Sequence, residues 1–118
     1  MIYELREYVA APGRSAQLHN RFRDHVLDLF VRHQLDVVGY WSEADDDHRI
    51  VYLLRFVDDA ARVAAWAAFQ ADPEWSSVKS RSEAQGPIVV EMTSRTLIQP
   101  PYWAARTAAT SHHEERRA

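Results

Sequence analysis

The sequence of 118 residues predicts an α+β fold of the ferredoxin-like type, β-α-β-β-α-β, with a four-stranded antiparallel sheet. Two observations support this fold. Residues 2–9 alternate like a strand and are followed by apolar residues at helical spacing. Two strands, a second long helix and a fourth strand are then expected along the rest of the chain. The order of these elements places the helices on one face of the sheet.

The first strand is expected over residues 2–9, with Glu4 and Arg6 on one face and Tyr3 and Leu5 on the other. A Pro-Gly turn at residues 12–13 ends this strand. A helix is then expected from about residue 15 to residue 35. Its apolar positions form one stripe, which consists of Leu18, Phe22, Val26, Leu29 and Phe30.

Residues 36–42 predict the second strand, in which Gly39 marks a bulge or a close backbone approach. Residues 43–49 read as a charged turn. The third strand is expected over residues 50–57, where nearly every residue is apolar apart from Arg55. Such continuous apolarity predicts burial on both faces.

Asp58 or Asp59 is expected to cap a second long helix that runs to about residue 70. Its inward residues are expected to be Val63, Trp66 and Phe69 or Gln70. Asp72 and Pro73 begin a further short helix, as a cap and a first-turn residue. Residues 86–87 end it, and residues 88–98 form the fourth strand. The domain is expected to span residues 1–103, followed by a frayed tail over residues 104–118.

Composition excludes several classes of function. The net charge is -3 and no basic stripe is present, so nucleic acid is not an expected partner. The chain has no cysteine, and no apolar run long enough to span a membrane, which predicts a cytoplasmic protein. One sheet face carries Tyr and Val without a covering helix, which predicts a homodimer closed through that face. Residues 100–103 leave the sheet and are expected to dock on the partner.

Several short motifs, taken in order, resemble the NIPSNAP family. They are Ile-Tyr-Glu-Leu-Arg at residues 2–6, Pro-Gly at 12–13, Arg-His at 32–33, Val-Gly-Tyr-Trp at 38–41 and Asp-Pro-Glu-Trp at 72–75. The resemblance covers roughly residues 1–103. It implies a dimeric α/β barrel, a fold that in neighbouring families hosts cofactor-free monooxygenases, haem-degrading enzymes, lyases and binding proteins.

Two positions depart from the family pattern. Family members often have Gly after the Arg-His pair, where this chain has Gln34. Many relatives carry His and Trp in the third strand, where this chain has Tyr52 and Leu54. The resemblance therefore implies that the pocket chemistry of this chain differs from theirs if those side chains line the pocket.

The first long helix supplies two candidate histidines, His25 and His33. They are eight residues apart and have no third ligand at a compatible spacing, so they predict no metal site. His25 is a candidate general acid or base if it faces the sheet, because imidazole titrates near neutrality. The alternatives are a hydrogen-bonded histidine at the edge of the core for His25 and a helix-end cation for His33.

The sheet supplies a second set of candidates. Arg55 is a candidate binder of a carboxylate or phenolate, and Glu91 a candidate base, in a cavity between sheet and helices. The alternative is an ion network at the dimer interface that also includes Glu4, Arg6 and Arg95. Aromatic side chains expected to wall the cavity, or else to fill it as core, are Trp41, Tyr52 and Trp66.

These residues lead to two hypotheses. In the first, a homodimer binds a small, mostly apolar metabolite between sheet and helices, and acts on it by cofactor-independent acid–base or oxidative chemistry of the monooxygenase, lyase, isomerase or cyclase type. His25 and Glu91 are its candidate catalytic residues; Arg55, Trp41, Tyr52, Trp66 and His33 are its candidate substrate-binding residues. In the second, the chain is a binding or assembly module without activity. Haem binding through His25 or His33 is a third alternative, although no cofactor is expected.

Overall fold

The computed structural model describes residues 1–103 and residue 106. The strands and helices of this part of the chain are β1 (Ile2–Ala10), α1 (Ser15–Arg21), a π-helical segment (Phe22–Val26), α2 (Leu27–Arg32), β2 (Asp36–Glu43), β3 (Asp46–Phe56), α3 (Asp59–Ala71), α4 (Pro73–Ser82) and β4 (Val89–Leu97). The predicted α+β element order is confirmed.

The four strands form one antiparallel sheet in the order β2-β3-β1-β4. The register of β1 pairs Tyr3 with Arg55 of β3 and Val9 with Glu91 of β4. Because side chains alternate across a strand, each pair of opposed residues lies on the same face. β1 and β3 are the two inner strands, and their side chains dominate both faces of the sheet.

The helices cover one face of the sheet, and the core lies between them. The apolar stripe of the first helix is buried along its whole predicted length. It meets the inward residues of β3, which are Ile50, Tyr52, Leu54 and Phe56. β3 is therefore apolar on both faces for different reasons. Its inward residues belong to the core, whereas Val51 and Leu53 lie on the opposite, uncovered face and are only half-buried.

The first helix differs from the prediction in its bounds and its winding. It ends at Arg32 and contains a π-helical segment over Phe22–Val26. The wider turn of a π helix takes in one extra residue and rotates the residues that follow. His25 is exposed within this segment, so the condition for its acid–base role, that it faces the sheet, is not met.

Two further expectations are corrected. β3 begins at Asp46 rather than residue 50, because the charged segment continues the strands and leaves only residues 44–45 for the turn. Val63 is 54% exposed, so it lies outside the inward face of α3, which consists of Ala65 and Phe69 with half-buried Trp66. The predicted tail lies outside the described residues apart from residue 106.

Gly39 has both features that the sequence suggests. The β2–β3 register shifts between Val37 and Gly39, which is a bulge. The Trp41 ring also packs on the Gly39 backbone so closely that any side chain there would collide with it. Trp41 is therefore folded along the uncovered face of the sheet, where it remains 53% exposed.

The uncovered face is apolar along its centre. By register it carries Tyr3, Leu5, Val9, Trp41, Val51, Leu53 and Leu97, and none of these residues is buried. Most charged residues of the same face lie toward its ends and edges, but Glu7 lies between Leu5 and Val9 on β1 and pairs with Arg49. None of the described helices is long and apolar enough to cross a membrane.

The end of α2 holds the residue after Arg32-His33 in a conformation that suits glycine. Gln34 has a φ of 64°, the left-handed conformation. The Leu35 N–H donates to the Phe30 carbonyl and the Gln34 N–H to the Val31 carbonyl, which is the Schellman arrangement at a helix end. A side chain in this conformation is strained, and glycine is not.

The change Gln34→Gly is therefore expected to stabilise the fold by about 0.5–1 kcal/mol, because relief of strain exceeds the added freedom of the unfolded chain. Urea unfolding measures this. The matched control Gln17→Gly, at an exposed position within α1, should destabilise by about 1 kcal/mol. A loss of stability in both variants would contradict the assignment.

Candidate functional site

A buried carboxylate lies at the centre of the helix-covered face. Glu4 is 1% exposed. Its oxygens accept hydrogen bonds from Arg6 Nη1 at 2.8 Å, Trp66 Nε1 at 2.8 Å and Ser94 Oγ at 2.6 Å. Arg62 Nη1 lies 3.7 Å away. Glu4 thus joins β1 to α3 through Trp66 and to β4 through Ser94.

These contacts keep Glu4 ionised. Burial alone disfavours the charged form, but the hydrogen bonds from Ser94, Arg6 and Trp66 outweigh burial and hold the pKa of the Glu4 carboxyl below its usual range. A charge in this position is paired and fully hydrogen-bonded, which is the condition under which burial of an ion is tolerated.

The Arg6 guanidinium uses each of its nitrogens. Nη1 donates to Glu4, Nε donates to the Tyr52 hydroxyl at 3.0 Å, and Nη2 donates to the Tyr8 hydroxyl at 3.0 Å. Its plane lies on the Trp66 ring, with 4.2 Å between Cζ and the ring centroid. Arg6 is therefore fixed in both position and orientation.

The two tyrosine hydroxyls continue this chain of hydrogen bonds. Tyr52 Oη lies 3.1 Å from Tyr8 Oη. Tyr52 is completely buried, and burial is the first reason why the pKa of its hydroxyl lies well above the usual range. The Tyr52 hydroxyl is consequently protonated at neutral pH, and each of the two tyrosine hydroxyls has one O–H that can donate a hydrogen bond.

Aromatic side chains fill most of the space between sheet and helices. Phe22, Phe30, Tyr40 and Tyr52 pack with ring centroids 5.6–6.3 Å apart. Phe30 also contacts Trp66 and Phe69, at 5.7 and 5.2 Å. Burial raises the pKa of Tyr40 to about 12.

A partly enclosed cavity of about 70 Å³ lies beside this cluster. Its wall consists of Arg6, Tyr8, Arg21, Phe22, Val26, Phe30, Trp66, Phe69, Gln70 and Trp75. Gln70 is an exposed residue, so the cavity reaches the surface at that side. The π-helical segment contributes Phe22 and Val26, and Arg21 directly precedes it.

Arg21 is an unusual wall residue because it is 7% exposed. Its Nη1 lies 3.3 Å from Ser82 Oγ and 3.5 Å from Glu83 Oε2. Its Nε is buried without a hydrogen-bond partner among the described residues. The guanidinium lies over the Trp75 ring, 5.3 Å from the centroid, and burial lowers the pKa of Arg21 despite the opposing charge of Glu83.

The structure brings together two pairs of predicted site residues, Tyr52 with Trp66 beside the cavity and His33 with Arg55 beside a separate groove. Trp66 is part of the cavity wall, and Tyr52 lies behind it in the Arg6 network. Leu54, the other position that departs from the family pattern, is also completely buried on this face. Tyr52 and Leu54 thus both face the helices, and the role of the predicted residues in binding stays a prediction.

Three predicted site residues lie on the opposite face of the sheet. Arg55 is paired with Asp36 at 2.9 Å, while Glu91 and Trp41 are exposed. The placement of Glu91 in a cavity between sheet and helices is therefore wrong, whereas Arg55, at the end of β3, borders a groove between α2, α3 and β3 together with His33. One network that joins Arg55 and Glu91 with Glu4 and Arg6 is also excluded, because the sheet separates the two groups.

The two histidines lie apart from the cavity. His25 borders a separate groove of about 280 Å³ between α1 and α4. His33 Nε2 donates to Asp72 Oδ2 at 2.6 Å, and Arg32 Nη1 reaches the same oxygen at 3.1 Å. The hydrogen bond from His33 and the backbone N–H of Glu74 hold the pKa of Asp72 below its usual range.

Asp72 thus has more than the predicted role of a helix cap. It caps α4 through the Glu74 N–H at 2.8 Å and also anchors the end of α2. Both His33 and Arg32 border a shallow groove of about 520 Å³ between α2, α3 and β3. The Arg-His motif at residues 32–33 thus contacts Asp72 of the Asp-Pro-Glu-Trp motif. Both motifs are accounted for by packing between helices.

Sequence reasoning missed Glu4, Arg6, Tyr8, Arg21 and Ser94 as members of one site. A signal was present for the first three, because even-numbered polar residues share the face of β1 that two amphipathic helices must cover. No comparable signal identified Arg21, since its burial depends on the π-helical segment and on α4.

Among the described residues, one group of side chains could hold a metal ion by distance alone. Ligand atoms of Asp46, Asp47 and His48 at the β2–β3 hairpin lie within 4.8 Å of one another. These residues are half-buried or exposed, and exposed carboxylates cluster in this way without an ion. His48 Nδ1 already lies 3.1 Å from Asp47 Oδ1.

Comparisons with known proteins agree with the fold. The NIPSNAP family model matches residues 3–104. A search among curated proteins found no match. An uncharacterized NIPSNAP domain protein from Burkholderia xenovorans superposes with a TM-score of 0.73 at 20% identity, over 86% of this chain and 97% of that chain.

Two further solved structures have the same fold. A NIPSNAP family protein from Agrobacterium tumefaciens superposes with a TM-score of 0.74 at 14% identity, over 86% of this chain and 94% of that chain. An antibiotic biosynthesis monooxygenase superposes with a TM-score of 0.62 at 13% identity, over 86% of this chain and 100% of that chain. At such identities the likeness is one of fold.

The change Glu4→Gln is expected to destabilise the protein by roughly 3 kcal/mol at neutral pH, because it leaves Arg6 buried without its counter-ion. The matched change Glu7→Gln, in the same strand but on the uncovered face, should cost within about 0.5 kcal/mol. Chemical denaturation of both variants measures this. Equal losses would contradict the central position of Glu4.

The difference in unfolding free energy between the native protein and the Glu4→Gln variant is expected to depend on pH. The pKa of Glu4 is lower in the folded than in the unfolded protein, so its contribution is complete above about pH 4.5 and is lost as the pH falls below that value. The difference between the native protein and the Glu4→Gln variant should therefore shrink in acid.

Proposed function

The chain belongs to the NIPSNAP family, and from that premise we propose that it binds a small metabolite with an apolar part in the cavity between sheet and helices. The observation that supports this is the partly enclosed cavity, with a mostly aromatic wall interrupted by a few fixed polar groups. Small-molecule sites have this composition. The antibiotic biosynthesis monooxygenase that has the same fold also supports the binding of a small molecule, at the level of fold alone.

The cavity limits the size of the bound group. Its volume of about 70 Å³ is equivalent to roughly two water molecules. A larger metabolite would place one end in the cavity and extend toward the surface beside Gln70. Trp66 and Trp75 would then contact the part of the metabolite nearest the cavity.

The wall also limits the chemistry. The described residues around the cavity include no carboxylate and no histidine. Arginine stays protonated, so Tyr8 is the wall residue whose hydroxyl could transfer a proton. We therefore propose binding as the function of this cavity, with acid–base chemistry, if present, assigned to Tyr8 rather than to His25 or Glu91.

We also propose a homodimer formed through the uncovered sheet face. Seven apolar or aromatic residues share that face without burial in the monomer, and exposed apolar patches of this kind mark interfaces. The second candidate function, an assembly module without activity, has the same observation in its favour. The cytoplasmic location stays a prediction.

The ligand proposal predicts a compound bound to the purified protein. Acid–methanol extraction followed by mass spectrometry should identify a small compound in near-stoichiometric amount. Val26→Leu, which adds a methylene to the cavity wall, should lose this compound and remain folded. Val63→Leu, the same change at an exposed position of α3, should retain it. A preparation without any bound compound, which also binds none from a cell extract, would contradict the proposal.

The dimer proposal predicts a change in mass. Leu53→Glu places a charge in the middle of the uncovered face and should convert the dimer to a monomer, because an unpaired charge is not tolerated in an apolar interface. Val63→Glu on α3 is the matched control and should remain dimeric. Light scattering after gel filtration measures both masses. A native protein that is monomeric at high concentration would exclude this interface.

A further inference from the structure

The hydroxyl groups of Tyr8 and Tyr52 contain two hydrogens, and the contacts around them account for one. Both oxygens accept a hydrogen bond from Arg6, and one hydroxyl donates to the other. One O–H hydrogen therefore has no acceptor within this network, in whichever direction the hydroxyls point. Tyr52 is completely buried behind the wall, while Tyr8 lies in the wall. The unused donor therefore belongs at Tyr8, beside the cavity.

Arg21 supplies a second unused donor in the same wall. Its Nε–H is buried and has no partner in the described part of the chain. A buried donor on a charged group that lacks an acceptor is costly, so such groups are rarely left without a partner. An acceptor brought into the cavity would remove this cost.

The charges of the wall have one sign. Arg6 and Arg21 both border the cavity, whereas their carboxylate partners Glu4 and Glu83 do not. Each guanidinium lies against an indole ring, Arg6 on Trp66 and Arg21 on Trp75. The two cations are thus held in place before any ligand arrives, which reduces the entropy lost on binding.

We propose that this cavity binds the carboxylate group of its ligand, with Arg21 and the Tyr8 hydroxyl as donors and Arg6 as a second cation. The inference rests on the proposed function and names the ligand class for the same cavity. A carboxylate has the volume of about two water molecules, which matches the cavity. It also accepts several hydrogen bonds at once, and the cavity wall supplies several donors. The carboxylate belongs either to a free small anion or to a larger apolar acid.

The test is a titration of the full-length, ¹⁵N-labelled protein followed by NMR of the indole and guanidinium N–H signals. The probes are sodium acetate and sodium benzoate, with acetamide and benzamide as neutral isosteres, at constant ionic strength. We expect a carboxylate to shift the Trp66, Trp75 and Arg21 signals saturably. The matching amide should bind at least tenfold more weakly, because it lacks the charge that two arginines recognise.

Variants identify the donors. Tyr8→Phe keeps the ring and removes the hydroxyl, and Arg21→Lys keeps the charge and removes Nε; each should weaken carboxylate binding about tenfold. Arg23→Gln is the matched control, since Arg23 lies in the π-helical segment that directly follows α1 but is 70% exposed and paired with Asp24. It should bind the probe like the native protein. Thermal unfolding of each variant shows that it is folded.

The outcomes separate this inference from the proposed function. Saturation by acetate but not benzoate identifies a free small anion, and tighter binding of benzoate identifies a larger acid; either result supports the carboxylate site. Equal binding of acids and amides would overturn it and leave the proposed function intact. Carboxylate binding that survives both Tyr8→Phe and Arg21→Lys would also overturn it. If neither acids nor amides bind and no compound is extracted, the proposed function fails as well.

Discussion

The need to neutralise and hydrogen-bond one buried carboxylate determines how the side chains between the sheet and the helices are arranged. Glu4 lies on an inner strand and is inaccessible to water, so its hydrogen-bond partners must come from the protein. They come from three different elements: Arg6 from β1, Trp66 from α3 and Ser94 from β4. These bonds hold α3 against the sheet in one orientation and fix Arg6 beneath the Trp66 ring. The positions of Tyr8 and Tyr52 follow, since both hydroxyls accept from Arg6.

The cavity is a consequence of this polar network meeting an aromatic core. Phenylalanine rings pack closely against one another, but the guanidinium groups of Arg6 and Arg21 need their edges free for hydrogen bonds and their faces covered by indole rings. The π-helical segment also borders this space, because its buried residues Phe22 and Val26 form part of the cavity wall. The remaining space therefore has polar groups at fixed positions along part of its wall, which an ordinary packing defect in an apolar core does not have.

Much of the fold could be predicted from the sequence, and the site could not, for reasons that particular residues show. The stripe from Leu18 to Phe30 and the caps at Asp58 and Asp72 depend on local periodicity and local hydrogen bonds, so they are visible in the chain itself. The face occupied by Arg55 depends on which side of β3 the helices cover, and β3 is apolar on both sides. His25 follows the edge of the apolar stripe, so periodicity leaves its direction open, and in the structure it is exposed within the π-helical segment. The bond between His33 and Asp72 joins residues 39 positions apart, and it exists only once α2 and α4 have packed.

The two faces of β1 keep ligand binding and assembly chemically separate. Glu4, Arg6 and Tyr8 point to the helices, whereas Tyr3, Leu5 and Val9 point to the uncovered face. Among the described residues, no side chain of the uncovered face borders the cavity, so a partner that covers that face adds nothing to the cavity wall through the sheet itself. The charges are divided in the same way, because Arg55 and Arg49 are neutralised on their own face by Asp36 and Glu7. A relative of this chain could therefore change the residues around Arg21 and bind a different compound while its uncovered face stays the same. Shared architecture with unlike pockets is what a family with a common fold and low identity is expected to contain.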